Sequence, residues 1–494
     1  MSASKEYKTI VKNSVRLLYI FLIISILSFI STGSEINIEK NKTSDVKKSE
    51  KNGWEQVPEI LKKIVAPKFP DKVFNIIKYG AVADGKTLCT KAFEKAIDAC
   101  TKKGGGIVEV PKGEYLTGSI HLKNNVNLHI SEGAVVKFST NPKDYLPVVY
   151  ARWEGVELMN YSPLIYAYEK ENIAVTGSGL LDGQADNEHW WNWAGSKRFG
   201  WKEGMPSARD SLSRPRLMKL GDDNVPVKER IFGKGYYLRP AFIEFYKSKN
   251  ILIQGVHLKD SPFWFLHPVL SQNITIDGIT TNSVGPNTDG CDPESCTDVW
   301  IKNCTFSDGD DCIAIKSGRN NDGRRVNVPS TNFVIQNCNM KDGHGGVVIG
   351  SEITGGCWNV FAEDCEMNSP NLDRALRIKS NTKRGGVVRN IYMRNVKIGQ
   401  VKEAIVKLNM HYDPPEAIGY HYNPVFENIY VQNVTSQKSR YGLFLDGLED
   451  SQIRNIIIED CKFNGVDRGN YTNYVEGLKL INVYINGELQ KDEK

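Results

Sequence analysis

The stretches NILIQGV (Asn250–Val256) and NITIDGI (Asn273–Ile279) decide the fold, because closely related heptapeptides recur along the second half of the 494-residue chain. Each begins with Asn or Asp, alternates apolar with polar residues and ends on an apolar residue. The other copies are DVWIKNC from Asp298, NFVIQNC from Asn332, NVFAEDC from Asn359, NIYMRNV from Asn390, NIYVQNV from Asn428 and NIIIEDC from Asn455. Successive copies start between 23 residues (250 to 273) and 38 residues (390 to 428) apart. Self-similarity at such a period indicates a solenoid.

Alternation with a period of two makes each heptapeptide a strand with one inward face. The unequal spacing places the insertions in loops outside the coils, where repeat proteins commonly bind their ligands. One amphipathic helix is predicted ahead of the repeats, at about Thr90 to Lys102, where it would cover the first open edge of the solenoid. The sequence therefore predicts an all-β, single-domain, right-handed parallel β-helix over residues 71–488, with a short N-terminal capping helix.

The first seventy residues differ in composition from the repeat region. Four cations precede an apolar run at residues 17–30, which is short for a membrane span. We interpret residues 1–34 as an export signal, with an uncleaved anchor as the alternative because no clear small-residue cleavage site is present. Residues 35–70 are rich in Lys, Glu, Asn and Ser and are predicted to be a polar linker. The export signal predicts a secreted or periplasmic protein.

The ten cysteines are predicted to be core residues. Cys304, Cys338, Cys365 and Cys461 occupy the last position of their heptapeptides, where other copies carry Val or Ile. Ten cysteines are too few for a disulfide framework in a chain of this length, and no pair has the spacing of a zinc site. We predict buried free thiols, although an oxidised pair on neighbouring coils stays open. A net charge of +5 does not by itself indicate a polyanion partner, and no nucleic-acid-binding motif is present.

The repeat also aligns a group of polar residues. Asp310 and His344 each lie twelve residues after the first residue of their heptapeptides, so they occupy the same place on successive coils. Aligning the cysteines that follow puts Asp289 beside Asp310, one coil earlier. Asp311 would point away from Asp310 in a regular strand, but a bend at Gly309 would turn both carboxylates to the same side. Three carboxylates and one imidazole are therefore expected to converge.

Two cations fall on the next strand of this stack. Arg377 and Lys379 are two residues apart and share one face of that strand. We expect no acidic neighbour on this face, so the pair would accept an anionic ligand such as a sugar carboxylate, which a guanidinium binds bidentately. Crowded carboxylates cannot all ionise at neutral pH, so one pKa is expected to be raised. A protonated acid beside ionised carboxylates is what hydrolysis of a glycosidic bond requires.

Four motifs, NTDG at 287–290, GDD at 309–311, GHG at 343–345 and RIK at 377–379, resemble those of the polygalacturonases of glycoside hydrolase family 28. The similarity covers residues 74–485. It implies a pectin-lyase-like β-helix that hydrolyses α-1,4 bonds between galacturonic acid units of pectin with inversion and without a metal. We also expect a monomer without a cofactor. Inversion is implied by the resemblance alone, because a coil spacing of about 4.8 Å would by itself suit a retaining enzyme.

The resemblance also implies a role for each residue of the cluster. Asp310 is expected to be the general acid, supported by His344, while Asp289 and Asp311 are expected to hold and activate water. Substrate binding is expected from Arg377, Lys379 and Asn287. The stretch 343–351 is more similar to bacterial members, many of which cleave from chain ends.

Alternatives to this interpretation stay open. A pectate lyase would need a carboxylate-built calcium site and a strong base, a role that Arg377 would fit, and a non-catalytic β-helix would only bind polysaccharide. The loop 184–237 is long enough to close one end of the groove, but exo and endo action are not distinguished. Nor does the sequence distinguish plain from substituted galacturonan. Trp190, Trp191 and Trp193 form either a sugar-stacking platform or a packed cluster.

Overall fold

The computed structural model describes residues 53–491, so the predicted export signal lies outside the described residues. The described chain winds through three sheets, and most coils add one strand to each sheet in turn. Sheet one has 13 strands, sheet two has 14, and sheet three consists of a 3-stranded and a 6-stranded part. Neighbouring strands in the three sheets are parallel, except for the last pair of sheet two. The prediction of an all-β parallel β-helix is confirmed.

The strands of sheet one are Val73–Asn75, Gly106–Val110, Val126–Ile130, Glu171–Gly177, Lys249–Gln254, Gln272–Asp277, Thr297–Lys302, Ser330–Gln336, Cys357–Glu363, Val387–Arg394, Val425–Gln432, Ile453–Glu459 and Val475–Ile481. Those of sheet two are Asp84–Leu88, Gly113–Thr117, Ala134–Phe138, Leu180–Asp182, His257–Lys259, Thr280–Asn282, Thr305–Ser307, Asn339–Met340, Glu366–Met367, Lys397–Ile398, Thr435–Ser436, Lys462–Phe463, Tyr484–Ile485 and Glu488–Leu489. Those of sheet three are Ile120–His121, Ile165–Tyr168, Ile243–Tyr246, Ile313–Ile315, Val347–Ile349, Arg374–Lys379, Ala404–Asn409, Tyr441–Asp446 and Tyr471–Asn473.

The α-helices are α1 (Val57–Lys63), α2 (Thr90–Lys102), α3 (Arg214–Asp222), α4 (Asn320–Val326) and α5 (Pro414–Ala417). The 3-10 helices are Gly53–Gln56, Ile76–Tyr79, Pro142–Tyr145, Trp191–Ala194, Lys197–Phe199 and Val227–Glu229. An antiparallel hairpin, Val149–Trp153 with Val156–Asn160, stands apart from the coils. No described helix is long and apolar enough to cross a membrane.

The Asn or Asp that begins each heptapeptide has a conformational reason. Asn359, Asn390 and Asn428 adopt left-handed φ values of 60°, 57° and 58°, a conformation that Asn and Asp tolerate better than other side chains. Their amides also bond from coil to coil, Asn390 to Asn359 at 3.1 Å and Asn428 to Asn390 at 3.1 Å. The repeated Asn therefore satisfies its own polar group while it marks the same bend in each coil.

The inward face of the repeat forms the core. Val360, Ile391 and Ile429 are register partners on successive strands of sheet one, and all three are buried. The ten cysteines are buried free thiols, as predicted. Each buried side chain stacks on a similar one in the coils above and below, which removes apolar area from water along the whole solenoid.

The capping helix is confirmed as α2, with the predicted bounds. Its buried residues are Ala92, Phe93, Ala96, Ile97 and Cys100. The side chains that repeat every three to four residues lie on one face of a helix, and here that face packs onto the first coils.

Part of the predicted linker is folded. Residues 53–63 form a 3-10 helix and α1, and Val57 and Ile60 are buried against Phe361 and Tyr392 on the outer face of sheet one. The side chain of Asn273 also bonds the backbone of Val65, two residues after this segment. The linker prediction was wrong for residues 53–63. Lys and Glu dominate the composition of this region, and that composition does not reveal that a few apolar residues cover the aromatic side chains on the outer face of sheet one.

Candidate active site

The predicted site residues lie in successive coils, at the start of strands in sheet three or within them. The backbone N–H that follows Asp289 donates to the carbonyl of Asp311 at 2.9 Å, and the N–H of His344 donates to the carbonyl of Asp310 at 3.0 Å. The strand after His344 pairs in register with the strand that holds Arg377. The ladder of the β-helix therefore stacks these side chains, which are far apart in sequence.

The three predicted carboxylates converge. Asp289, Asp310 and Asp311 each contribute an oxygen atom, and these atoms lie within 4.8 Å of one another. Asp311 is fully buried yet faces this cluster, as predicted. Gly309 contributes space: a Cβ atom there would lie 2.1 Å from the carbonyl oxygen of Gly285. The chain bends at Gly309 and Asp310, as predicted. Because the φ of Gly309 is not among the positive values, close approach between coils is the reason that the bend carries a glycine.

Arg377 and Lys379 have an acidic neighbour, contrary to prediction. Lys379 Nζ lies 2.7 Å from Asp311 Oδ2, and Arg377 Nη1 lies 3.2 Å from Asp311 Oδ1. Burial alone would raise the pKa of Asp311, but these two cations outweigh burial and hold its pKa well below the usual range. This contact could not be predicted from the sequence. Asp311 lies two coils before Arg377 and Lys379 and meets them only because the side chains reach across the coils.

A raised pKa is present, and it belongs to Asp289. Burial, together with the nearby Asp292 and Asp310 carboxylates, raises the pKa of Asp289 well above its usual range. One of its oxygens, Oδ1, is buried without a hydrogen-bond partner among residues 53–491. Asp289 is therefore the carboxyl of the cluster in which burial and its acidic neighbours favour the protonated form, next to Asp311, whose pKa is lowered. The crowding of the carboxylates predicted that one pKa would be raised. The family resemblance had suggested Asp310 as the protonated acid, whereas the raised pKa belongs to Asp289.

His344 and Asn287 occupy the expected positions. His344 Nδ1 lies 2.9 Å from Asp310 Oδ1, and this hydrogen bond raises the pKa of the half-exposed imidazole. Asn287 has a left-handed φ of 54°, and its side-chain oxygen accepts a bond of 2.8 Å from the buried Arg239. Arg239 also donates to the carbonyl of Pro286 at 2.6 Å, so it holds the whole turn ahead of Asp289.

A cavity of about 210 Å³ opens beside Asp310. Besides Asp289, Asn287 and Lys379, its lining includes Trp264, Lys316, Arg319, Glu352, Arg384 and Tyr412, which the sequence analysis did not single out. Lys316 is buried and lies 3.2 Å from Asp292, 3.4 Å from Glu352 and 3.8 Å from Asp289. A signal for Lys316 was present, since a lysine directly follows the apolar strand Ile313–Ile315.

One end of this cavity is closed by inserted segments. Arg319, at the start of α4, bonds Glu154 at the tip of the hairpin at 2.9 Å and Glu416 of α5 at 2.9 Å. Glu416 also accepts from Arg384 at 2.8 Å, and Arg214 bonds Glu154 at 2.8 Å. We call this cavity the walled pocket, because ion pairs join its end wall from three separate insertions.

A second cavity of about 470 Å³ begins on the other side of the same catalytic candidates. Its lining includes His344, which bonds Asp310 of the walled pocket. Other lining residues are Arg198, Ser283, Asp308, Asp342 and Lys402. We call it the open groove.

The three tryptophans pack together, and Asp292 is a buried acid outside the predicted set of site residues. Trp190 and Trp191 are buried, and Trp193 packs edge-on against Trp190 and Tyr237. None of these tryptophans lines either cavity, so the packed-cluster interpretation is favoured. Asp292 lies 3.2 Å from Lys316, and burial raises its pKa to about 7.

Comparison with known proteins agrees with this geometry. Residues 233–480 match the model of the glycosyl hydrolases family 28. A probable polygalacturonase from Vitis vinifera is 31% identical over 405 residues, covering 78% of this chain and 73% of that protein. An exo-poly-alpha-D-galacturonosidase from Dickeya chrysanthemi is 27% identical, covering 80% of this chain and 68% of that protein.

A solved structure extends the similarity to the fold. The hyperthermoactive exopolygalacturonase from Thermotoga maritima superposes with a TM-score of 0.84 at 43% sequence identity, covering 88% of this chain and 96% of that one. The four motifs, their convergence on one stack of coils and these matches lead to the same assignment: the chain belongs to glycosyl hydrolase family 28.

Proposed function

We propose that this enzyme hydrolyses α-1,4 bonds between galacturonic acid units of pectin or polygalacturonate. The observation that carries the proposal is the convergence of Asp289, Asp310 and Asp311 within 4.8 Å, next to the cations Arg377 and Lys379. This hydrolysis requires two carboxyl groups that flank the scissile bond, one to protonate the leaving oxygen and one to activate water. The relatives are named as enzymes acting on the same polymer, which supports the choice of substrate.

Asp310 is proposed as the general acid. It is the least buried of the three carboxyls and is in contact with His344 at 2.9 Å. Its contact with the imidazole supplies a proton source, because His344 Nδ1 can pass a proton to Asp310 as Asp310 protonates the leaving oxygen. Positioned acid catalysis of this kind contributes about 10²- to 10⁴-fold to the rate.

Asp289 and Asp311 are proposed to hold the attacking water. Asp311 stays ionised because of its two cations and can accept a proton from water, while the buried Asp289, whose pKa is raised, presents Oδ1, which has no hydrogen-bond partner among residues 53–491, to orient the water. Inversion is proposed on family membership, although the 4.8 Å cluster is as compact as a retaining site. Asp311 is also a poor nucleophile, since two cations already bind its oxygens.

The walled pocket favours cleavage from a chain end. Its end wall is joined by Arg319 to both Glu154 and Glu416, so a polymer has no passage beyond it. We propose that one terminal galacturonate fills this pocket, with its carboxylate near Lys379 and with Asn287 beside the scissile bond. Attack on plain galacturonan rather than a substituted backbone follows from a cavity of only about 210 Å³.

We further propose that the enzyme is exported, works as a monomer and needs neither metal nor cofactor. Export rests on the N-terminal sequence pattern at residues 1–34. The domain organisation is proposed as an export signal followed by one catalytic β-helix that extends to about residue 488.

The decisive experiment is product analysis on polygalacturonate in the presence of a chelator. We expect a saturated galacturonate monomer whose new anomeric centre, followed by proton NMR, is first β. An unsaturated product that absorbs in the ultraviolet would instead identify a lyase. Binding of polygalacturonate without any product would identify a non-catalytic protein, and either result would refute the proposal.

A further inference from the structure

We propose that the open groove is a second uronate-binding subsite, in which Arg198 binds the carboxylate of a polymer residue on the far side of the scissile bond. The inference rests on the proposed function. It adds a specificity residue that lies outside the catalytic cluster, in the long insertion between sheets two and three.

The position of the groove makes it the continuation of the walled pocket. Asp310 lines the walled pocket, and His344, 2.9 Å from Asp310, lines the open groove. The bond to be cleaved must lie at Asp310, so a substrate held on one side of this pair has its next residue on the other side. The groove is about 470 Å³ against about 210 Å³ for the walled pocket, which gives room for more than one sugar unit.

The acidic residues of the groove are already neutralised or bonded. Burial raises the pKa of Asp308 well above its usual range, and Asp308 accepts a 2.9 Å bond from Thr281. Asp342 accepts bonds from Ser307 and Ser369. Asp373, the third carboxyl of the lining, pairs with Arg374 at 3.3 Å and with Lys402 at 3.7 Å. All three carboxyls therefore have partners of their own other than Arg198.

Arg198 is the uncommitted cation of the groove. Its side chain is exposed and makes no ion pair with any carboxylate of residues 53–491, and its described contact is with the ring of Phe199 at 5.2 Å. Phe199 packs against the core, so the ring holds the guanidinium in place. Lys402, from another coil, is largely exposed but already pairs with Asp373 at 3.7 Å.

The chemistry of the polymer fits this arrangement. Polygalacturonate carries one carboxylate on each residue, and a guanidinium binds a carboxylate through two parallel hydrogen bonds. The cations of the walled pocket already pair with carboxylates of the protein, whereas Arg198 gains a carboxylate partner only when substrate binds. Its binding energy is thus available for recognising the chain beyond the terminal residue.

The test compares a polymer with a substrate that cannot reach the groove. Arg198→Ala and the wild type are assayed on trigalacturonate and on an aryl α-galacturonide, whose leaving group is uncharged. Loss of one charge-assisted pair predicts a decrease in kcat/KM of about 10- to 100-fold on trigalacturonate and less than about twofold on the aryl substrate. Lys197→Ala, on the same turn but outside the groove lining, is the matched control and should match the wild type on both.

Each outcome decides the proposal. Equal losses on both substrates would mean that Arg198 supports folding or catalysis, and no loss on trigalacturonate would mean that the groove does not bind a uronate there. Both results overturn the subsite while leaving the hydrolase intact. A wild type inactive on both substrates would refute the proposed function itself, and the subsite with it. Arg198→Lys should recover part of the lost kcat/KM, because the charge returns without the bidentate geometry.

Discussion

The walled pocket and the open groove meet at the contact between Asp310, which lines the pocket, and His344, which lines the groove, but they differ in how their charges are paired. In the walled pocket each cation already has a carboxylate partner, as Lys316 and Arg319 illustrate. In the open groove Arg198 has none among the described residues, and Lys402 is exposed. Paired and buried charges make a rigid wall, whereas an exposed unpaired cation can accept a new anion. The difference teaches that one side of the catalytic pair is built to stop a chain and the other to receive it.

The largest effect is expected from removing Asp310, the proposed general acid. Asp310→Asn keeps the size of the side chain but cannot donate the catalytic proton, so kcat should fall by about 10²- to 10⁴-fold. Binding of oligogalacturonide, measured by calorimetry, should remain. Asp364→Asn, in an exposed turn where Asp364 accepts a bond from Asn395, is the control and should keep full activity. Full activity of Asp310→Asn would show that another group is the acid.

The next effect concerns the buried charges beneath the walled pocket. His267 is buried between Glu244 and Glu294, at 3.3 and 3.0 Å. Burial alone would lower its pKa, but hydrogen bonds to these two glutamates outweigh burial and raise it from 6.5 to about 9. A raised folded-state pKa stabilises the protein fully below pH 6.5, and the contribution is lost as the pH rises through about 9.

We therefore expect the free energy of unfolding to decrease by about 3 kcal/mol between these two pH values. Chemical denaturation at a series of pH values measures this slope. His267→Gln should flatten it, while His257→Gln, at an exposed site bonded to Thr280, should leave it unchanged. An equally steep slope in His267→Gln would assign the pH dependence to other groups.

A smaller effect is expected at the water-activating carboxylate. Lys379 and Arg377 lower the pKa of Asp311, so Lys379→Met should raise it again. Because Asp311 must be ionised to accept a proton, the acid limb of the kcat/KM profile should move to higher pH. A profile that decreases uniformly, without any shift of its acid limb, would mean that Lys379 acts only on substrate binding. Lys402→Met should leave the acid limb in place.

The smallest change should come from opening the wall. Glu416 ties Arg319 and Arg384 together, so Glu416→Gln weakens the end wall without touching the carboxylate cluster. We expect the loss of viscosity per bond cleaved to rise a few-fold, since internal cleavage shortens a polymer faster than terminal cleavage. Glu427→Gln, which disturbs only an outer pair with Arg454, is the control. Products that remain purely monomeric would argue that the wall does not select the chain end.

Much of the catalytic cluster was predictable because the repeat converts sequence offset into position. Asp310 and His344 share an offset of twelve residues from their heptapeptide starts, and their stacking followed from that number alone. The pairing of Asp311 with Lys379 was missed, since these residues are 68 positions apart and meet by side-chain reach across coils. The folding of residues 53–63 was missed because composition does not reveal a complementary aromatic surface elsewhere.

By itself, the sequence determined the β-helix, its capping helix and the order in which the acidic, imidazole and basic groups stack. These are periodic properties, and a two-residue alternation with a recurring left-handed Asn specifies them locally. Only the tertiary structure decided which carboxyl carries a raised pKa, which cations are already paired, and where the chain end is stopped. Those properties depend on burial and on insertions of unequal length that meet outside the coils. Neither burial nor insertion length repeats along the sequence, so a periodic pattern cannot predict them.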